Sequence, residues 1–132
     1  MEKILSIIIP SYNARKFLDK GIPTFLDPAV IDSLDVIIVN DGSTDDTAAI
    51  AEKYCRMFPD SIRLISQPNK GHGGALNTGC AAAVGKYLRA TSTFASSYPK
   101  CVYTSMVVAT SECPIRYCSD FGFIPALVIL VQ

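Results

Sequence analysis

The chain has no tryptophan, a single histidine and no excess of charge, with 12 Lys and Arg balanced by 12 Asp and Glu over 132 residues. That balance excludes a protein whose affinity rests on a basic face, so nucleic acid is not an expected partner. With His72 alone, a histidine-built metal centre is excluded as well. No apolar run reaches the ~18 residues that span a bilayer. Ile4 to Ile9, broken by Ser6 and closed by Pro10, is too short for a secretory signal. The five cysteines, Cys55, Cys80, Cys101, Cys113 and Cys118, are odd in number and lack C-x-x-C spacing. They read as reduced thiols of a cytosolic protein, with neither a zinc site nor a disulfide frame.

What is present points to a globular α/β chain. Hydrophobic residues make up 49% and charged residues 18%, too apolar for intrinsic disorder. The length suits one compact domain that buries about two-thirds of its unfolded surface. Charge is unevenly spread: residues 90–132 carry only Lys100, Glu112, Arg116 and Asp120. The expected division is an α/β domain over 1–89 and an atypical low-charge tail over 90–132, poorly integrated or contributing edge strands. Val102 to Val108 and Ile124 to Val131 are the β-rich stretches suited to covering a sheet edge. A composition break of this kind is what a truncated or frame-shifted reading produces.

Within 1–89, strand and helix patterns alternate. Ile4 to Ile9, Val36 to Val39, Ile62 to Ile65 and a strand opening at Lys86-Tyr87-Leu88 are short and β-rich, as strands buried on both faces should be. Helices are predicted from Arg15 to about Leu26 with Asn13 as cap, from Ser43 to about Phe58, and from about Gly73 to Val84. Gly21 and Pro23 threaten the first. Ser43 with Asp46 forms an aspartate version of the capping box in the second. The alternation predicts a Rossmann-like parallel sheet with flanking helices and right-handed crossovers.

Ligands of such sheets bind beyond the carboxyl ends of the strands. Pro10-Ser11-Tyr12-Asn13, Asn40-Asp41-Gly42-Ser43 and Asn69-Lys70-Gly71-His72-Gly73-Gly74 all fall there. Asp41 is an acceptor-only carboxylate suited to a ligand N–H, or to organising its own turn. Tyr12 can offer a flat face to a planar ring, or simply pack. Gly71, Gly73 and Gly74 open a helix whose first N–H groups can cradle phosphate, with Lys70 adding a cation, or they serve close helix–sheet packing. The run matches neither the P-loop nor the dinucleotide fingerprint. His72 reads as a loop residue.

Taken together, Leu5 to Asn13, Val36 to Thr47 (VIIVNDGSTDDT), Asn69 to Gly79 and Gly85-Lys86-Tyr87-Leu88 resemble the family 2 glycosyltransferases in order and spacing. The resemblance covers residues 4–89 and implies the nucleotide-binding half of a GT-A fold. It implies a nucleotide-diphospho-sugar donor, with Pro10, Ser11, Tyr12 and Asn13 near the base, Asp41 accepting from it, and Lys70 and Gly71 facing the donor. It also implies a divalent cation, Mg or Mn, and an inverting displacement by an acceptor hydroxyl. The family's Asp-x-Asp slots, however, hold Ser92 and Phe94, which are poor ligands for a hard cation. No metal ligand or catalytic base is therefore assigned. Two readings stand: a transferase of this family, or an inactive nucleotide-binding remnant. A nucleotidyltransferase or dinucleotide enzyme lacks its own fingerprints here. The expected location is cytoplasmic, or peripheral to the inner membrane where the acceptor is a lipid or a growing polysaccharide.

Overall fold

The computed structural model describes residues 2–90 together with two short strands at 107–109 and 128–129. The chain runs β1 (Leu5–Ser11), α1 (Arg15–Gly21), β2 (Leu34–Asp41), α2 (Thr47–Met57), β3 (Ile62–Gln67), α3 (Gly71–Ala82), β4 (Tyr87–Ala90), β5 (Val107–Ala109) and β6 (Val128–Ile129). The sheet order is β3-β2-β1-β4-β5-β6. Strands β1 to β4 are mutually parallel, β5 runs antiparallel to β4, and β6 is parallel to β5. The last two strands overlap the stretches singled out as candidates for the sheet edge.

The β-branched runs bury both faces of the sheet, and the two-residue side-chain period sorts them. Ile7, Ile9, Val36 and Ile38 face α1 and α2, where Leu18, Ile22, Ala51 and Tyr54 complete one core. Ile8, Ile37 and Val39 face Ala75 and Leu76 of α3, with Leu88 beside them, to make the other. Each fully buried Ile or Val contributes about 1.5–3 kcal/mol. α3 lies close to the sheet because Gly79 has no side chain: a Cβ there would stand 2.3 Å from Ile8 Cγ2.

At the amino ends of the strands, Asp35 of β2 gathers a polar cluster. Arg63 of β3 donates to it through Nε (2.8 Å to Oδ1) and Nη2 (2.8 Å to Oδ2), and Ser6 Oγ of β1 donates at 2.8 Å. Val84 N adds a 3.3 Å bond to the same carboxylate, while Arg63 Nη2 also reaches Ala82 O at 2.8 Å. Gly85 N donates to Ser6 Oγ at 2.8 Å. Three strands and the α3–β4 connection are thereby clamped by one buried, fully partnered carboxylate.

Several predicted boundaries are corrected. α1 ends at Gly21, and Ile22–Phe25 continues as a 3-10 turn with Pro23 near its start. Asn13 does not cap α1, whose N-cap is Ala14. Ser43 does not open α2, which starts at Thr47 behind an Asp46 N-cap without a side-chain bond. Both residues are instead engaged between loops. α3 begins two residues before the predicted Gly73, because Gly71 takes φ +77° and turns the chain into the helix early.

Candidate functional site

β1 and β2 pair in parallel with Ser11 beside Asn40, so their last residues come out side by side at the carboxyl rim. The two loops that follow are stitched together. Asn13 N donates to Ser43 Oγ (3.1 Å), Thr44 N donates to Asn13 Oδ1 (2.9 Å), and Ala14 N donates to Thr47 Oγ1 (3.0 Å). Asn13 adopts φ 47°, a left-handed conformation asparagine tolerates well. Asp45 accepts from both the backbone and the hydroxyl of Thr47. Burial alone would raise its carboxyl, but these bonds prevail and hold it below the ordinary value.

Asp41 ends β2 and is 3% exposed. It pairs in register with Gln67, the last residue of β3. Its Oδ1 accepts from Gln67 Nε2 at 2.9 Å and from Lys70 N at 2.8 Å. The second bond fixes the start of α3, where a carboxylate is favoured by the helix dipole. Gly42 makes the approach possible: at φ +75° it takes a conformation that L side chains rarely adopt, and a Cβ would sit 2.9 Å from Asn69 N.

These elements enclose a cleft of about 110 Å³ lined by Pro10, Ser11, Tyr12, Asp41, Asn69, Gly71, His72 and Ala75. Of the residues singled out in the sequence, Pro10, Ser11, Tyr12, Asp41 and Gly71 line it together. Asn13 stands behind the wall as the tie between loops, and Lys70 supplies its backbone N–H to Asp41. Lys70 also packs against Gly74, where an added Cβ would meet Lys70 Cβ at 2.5 Å. Tyr12 lines the cleft and is 47% exposed.

His72 is placed differently from the sequence reading. It belongs to the first turn of α3 and lines the cleft, although no acidic neighbour stands near it in sequence. Burial pushes its imidazole below the ordinary value, and the Asp41 carboxylate pulls in the opposite direction. Gln67 and Thr78 were missed altogether: Thr78 Oγ1 donates to Gln67 Oε1 at 2.6 Å, which turns the amide nitrogen toward Asp41. Cys55 and Cys80 are free thiols, raised by burial and so weak nucleophiles at neutral pH.

Among the described residues no group of three or more His, Cys, Asp or Glu side chains could hold a metal ion. Asp41, the one carboxylate lining the cleft among the described residues, already spends one oxygen on protein donors, so the described donor set does not fit a divalent cation. Ser92, Phe94, Glu112 and Asp120 lie outside the described residues. Among the described residues no helix is long and apolar enough to cross a membrane.

A largely parallel α/β sheet with a cleft beyond the carboxyl ends of β1 and β2, against the start of α3, places its ligand site as doubly wound proteins do. The chain belongs to glycosyl transferase family 2, whose sequence profile matches residues 6–89. It is similar to the human dolichyl-phosphate β-glucosyltransferase, 37% identical over 109 residues that cover 74% of this chain and 33% of that protein. Among solved structures it resembles the Pyrobaculum calidifontis mannosyltransferase PcManGT in complex with GDP-Man and Mn2+ (TM-score 0.62, 24% identity, 70% of this chain and 28% of that one). It also resembles S. aureus TarS 1-349 in complex with UDP-GlcNAc (TM-score 0.58, 25% identity, 68% of this chain and 26% of that one). The fold is that of the GT-A glycosyltransferases. The chain spans about a third or less of the length of the curated relatives it matches.

Proposed function

We propose that this chain binds a nucleotide-diphospho-sugar in the cleft between β1, β2 and the start of α3, as the donor-binding part of a glycosyltransferase. The observation that carries the reading is the convergence of the Pro10-Ser11-Tyr12 turn, the Asp41 carboxylate and the first turn of α3 on one cleft. Tyr12 and Pro10 offer flat apolar surface to the base, and Asp41 accepts a base N–H. α3 has no acidic residue in its first turn and no side-chain cap from Lys70, so its positive end favours the diphosphate. Lys70, the N-cap of α3, adds a cation at that end of the helix.

The reaction such a site serves is displacement at the anomeric carbon. The acceptor oxygen forms the new bond, the bond to the diphosphate breaks with its electron pair leaving on phosphate, and the hydroxyl proton passes to a base. Attack from the face opposite the leaving group inverts the carbon. The described residues supply donor binding and orientation for this step, with no assigned base.

Ser92 and Phe94 in the family's Asp-x-Asp slots, neither a good ligand for a hard cation, favour a second reading in which nucleotide binds weakly and independently of metal and no sugar is transferred. Titration calorimetry with nucleoside diphosphates and UDP-sugars or GDP-sugars, with and without Mn2+, tests both. Micromolar to millimolar binding is expected; no heat with any nucleotide sinks the donor-binding reading. Donor hydrolysis or sugar transfer in the presence of Mg2+ or Mn2+ sinks the second reading and leaves the first.

A further inference from the structure

The helix that opens onto the cleft is almost without charge. Over Gly71–Ala82, α3 has no Lys, Arg, Asp or Glu, and His72 and Cys80 are its only titratable side chains. Cys80 packs against the core under the sheet, where burial raises its thiol. His72 is exposed, stands in the first turn and lines the cleft with Asp41 and Gly71.

Among the described residues, the charges on the elements around His72 have distinct places. Asp41, at the end of β2, lines the same cleft and acts on the ring. Tyr12 lines the cleft from the turn after β1, and Lys70 caps α3. Asp35 and Arg63 pair with each other at the amino ends of the strands, Arg15 pairs with Asp46, and Asp45 bonds Thr47. His72 is thus the group of this cleft whose charge changes near neutral pH.

Without ligand, burial holds the ring below its ordinary value by more than Asp41 restores, so it is neutral at pH 7. A diphosphate reverses that balance. It brings negative charge to a helix end that favours it, and an opposite charge within about 4–6 Å favours the protonated ring.

We infer that the protonated imidazole of His72 pairs with the diphosphate of the ligand, so that the cleft takes up a proton together with a nucleotide-sugar and holds it more tightly below neutral pH. The inference rests on the donor-binding reading above and adds how that site is regulated. A ring with higher proton affinity in the complex than in the free protein makes binding tighten as pH falls through the value in the complex, and level off below the free one.

The test is calorimetry on the full chain with UDP-GlcNAc and GDP-Man, without added metal, in buffers of differing ionisation enthalpy. The diphosphate of a nucleotide-sugar is a diester and keeps a constant charge over this range, so any proton taken up belongs to the protein. Affinity is expected to rise about three- to tenfold from pH 8 to pH 5.5, with uptake of about half a proton near pH 6.5. His72→Asn should abolish both the uptake and the rise. Binding without proton uptake, or uptake that persists in His72→Asn, overturns the inference and leaves donor binding intact; no binding at any pH overturns both. Uridine or guanosine binding with the same uptake overturns the pairing with diphosphate. Because His72 is the only histidine, its ring protons report directly by NMR in the unmodified chain, which serves if His72→Asn does not fold. Saturating nucleotide-sugar should raise the titration midpoint by about one pH unit, and an unmoved midpoint refutes the pairing.

Discussion

At the amino ends of the strands, Asp35 meets Arg63, Ser6 and the backbone of Val84, with donors on both of its oxygens. At the carboxyl ends of the same strands, Asp41 meets Gln67 and Lys70 N on one oxygen and lines a cleft. Both carboxylates sit on β2, six positions apart, and both are nearly buried, at 2% and 3% exposure. The difference lies in place. Asp35 ties three strands and the α3–β4 connection together, whereas Asp41 ties β2 to β3 and α3 at the wall of a cleft.

The sharpest way to break this contrast is Asp35→Ala. It strands Arg63 and removes the acceptor of Ser6, and is expected to cost about 3–5 kcal/mol. Urea unfolding measures it, and a cost under about 1 kcal/mol would show that the clamp does not hold the strands. Next comes Gly79→Val, which forces α3 away from Ile8 and is expected to cost about 1–3 kcal/mol. It should also weaken nucleotide binding, since Ala75 and Gly71 ride on the same helix; a thermal melt and one calorimetric titration check both parts. Asp41→Ala sharpens the comparison from the other side. Nucleotide affinity is expected to fall at least tenfold, while unfolding free energy drops by only about 1–2 kcal/mol for the bonds lost at Gln67 and Lys70.

The smallest expected effect is a pH dependence at the carboxyl rim. The His72 imidazole is depressed in the folded state, by burial more than Asp41 restores. The unfolded chain therefore binds that proton more readily. The contribution is whole above about pH 6.5 and is lost as pH falls through that value toward the folded one. His72→Asn should flatten the fall in urea midpoint between pH 7.5 and 5.5. Asp45, also depressed, keeps its contribution until pH drops below the ordinary carboxylate range, so the two effects separate on the pH axis.

How much of this was legible in the sequence depends on the distance over which each feature is made. Strand centres such as Val36 to Val39 were readable because β-branched runs signal burial locally. Strand ends were not: β1, β2 and β3 extend into Ser11, Asp41 and Gln67, polar residues that look like loop until a neighbouring strand takes their backbone bonds. Ser43 looked like a helix cap because it has the right chemistry in the right place, but the Asn13 loop competes for its hydroxyl. That Pro10 to Tyr12 and Asp41 lie at strand carboxyl ends followed from the strand–helix alternation, and their meeting was what the family resemblance implied. Gln67 and Thr78 could not be found that way, since their value arises from pairings with residues on other elements. The Asp35 and Arg63 clamp was hidden for the same reason.

The empty place at Gly79 has a reach beyond local fit. Ala75 stands one helical turn before it and Gly71 another turn before that, both on the wall of the cleft. A single omitted methyl group near the middle of the sheet thus acts as the shim that sets how far the positive end of a helix stands from the other walls of the cleft. Enlarging that position would retune the cleft from two turns away, without altering any atom that a ligand touches.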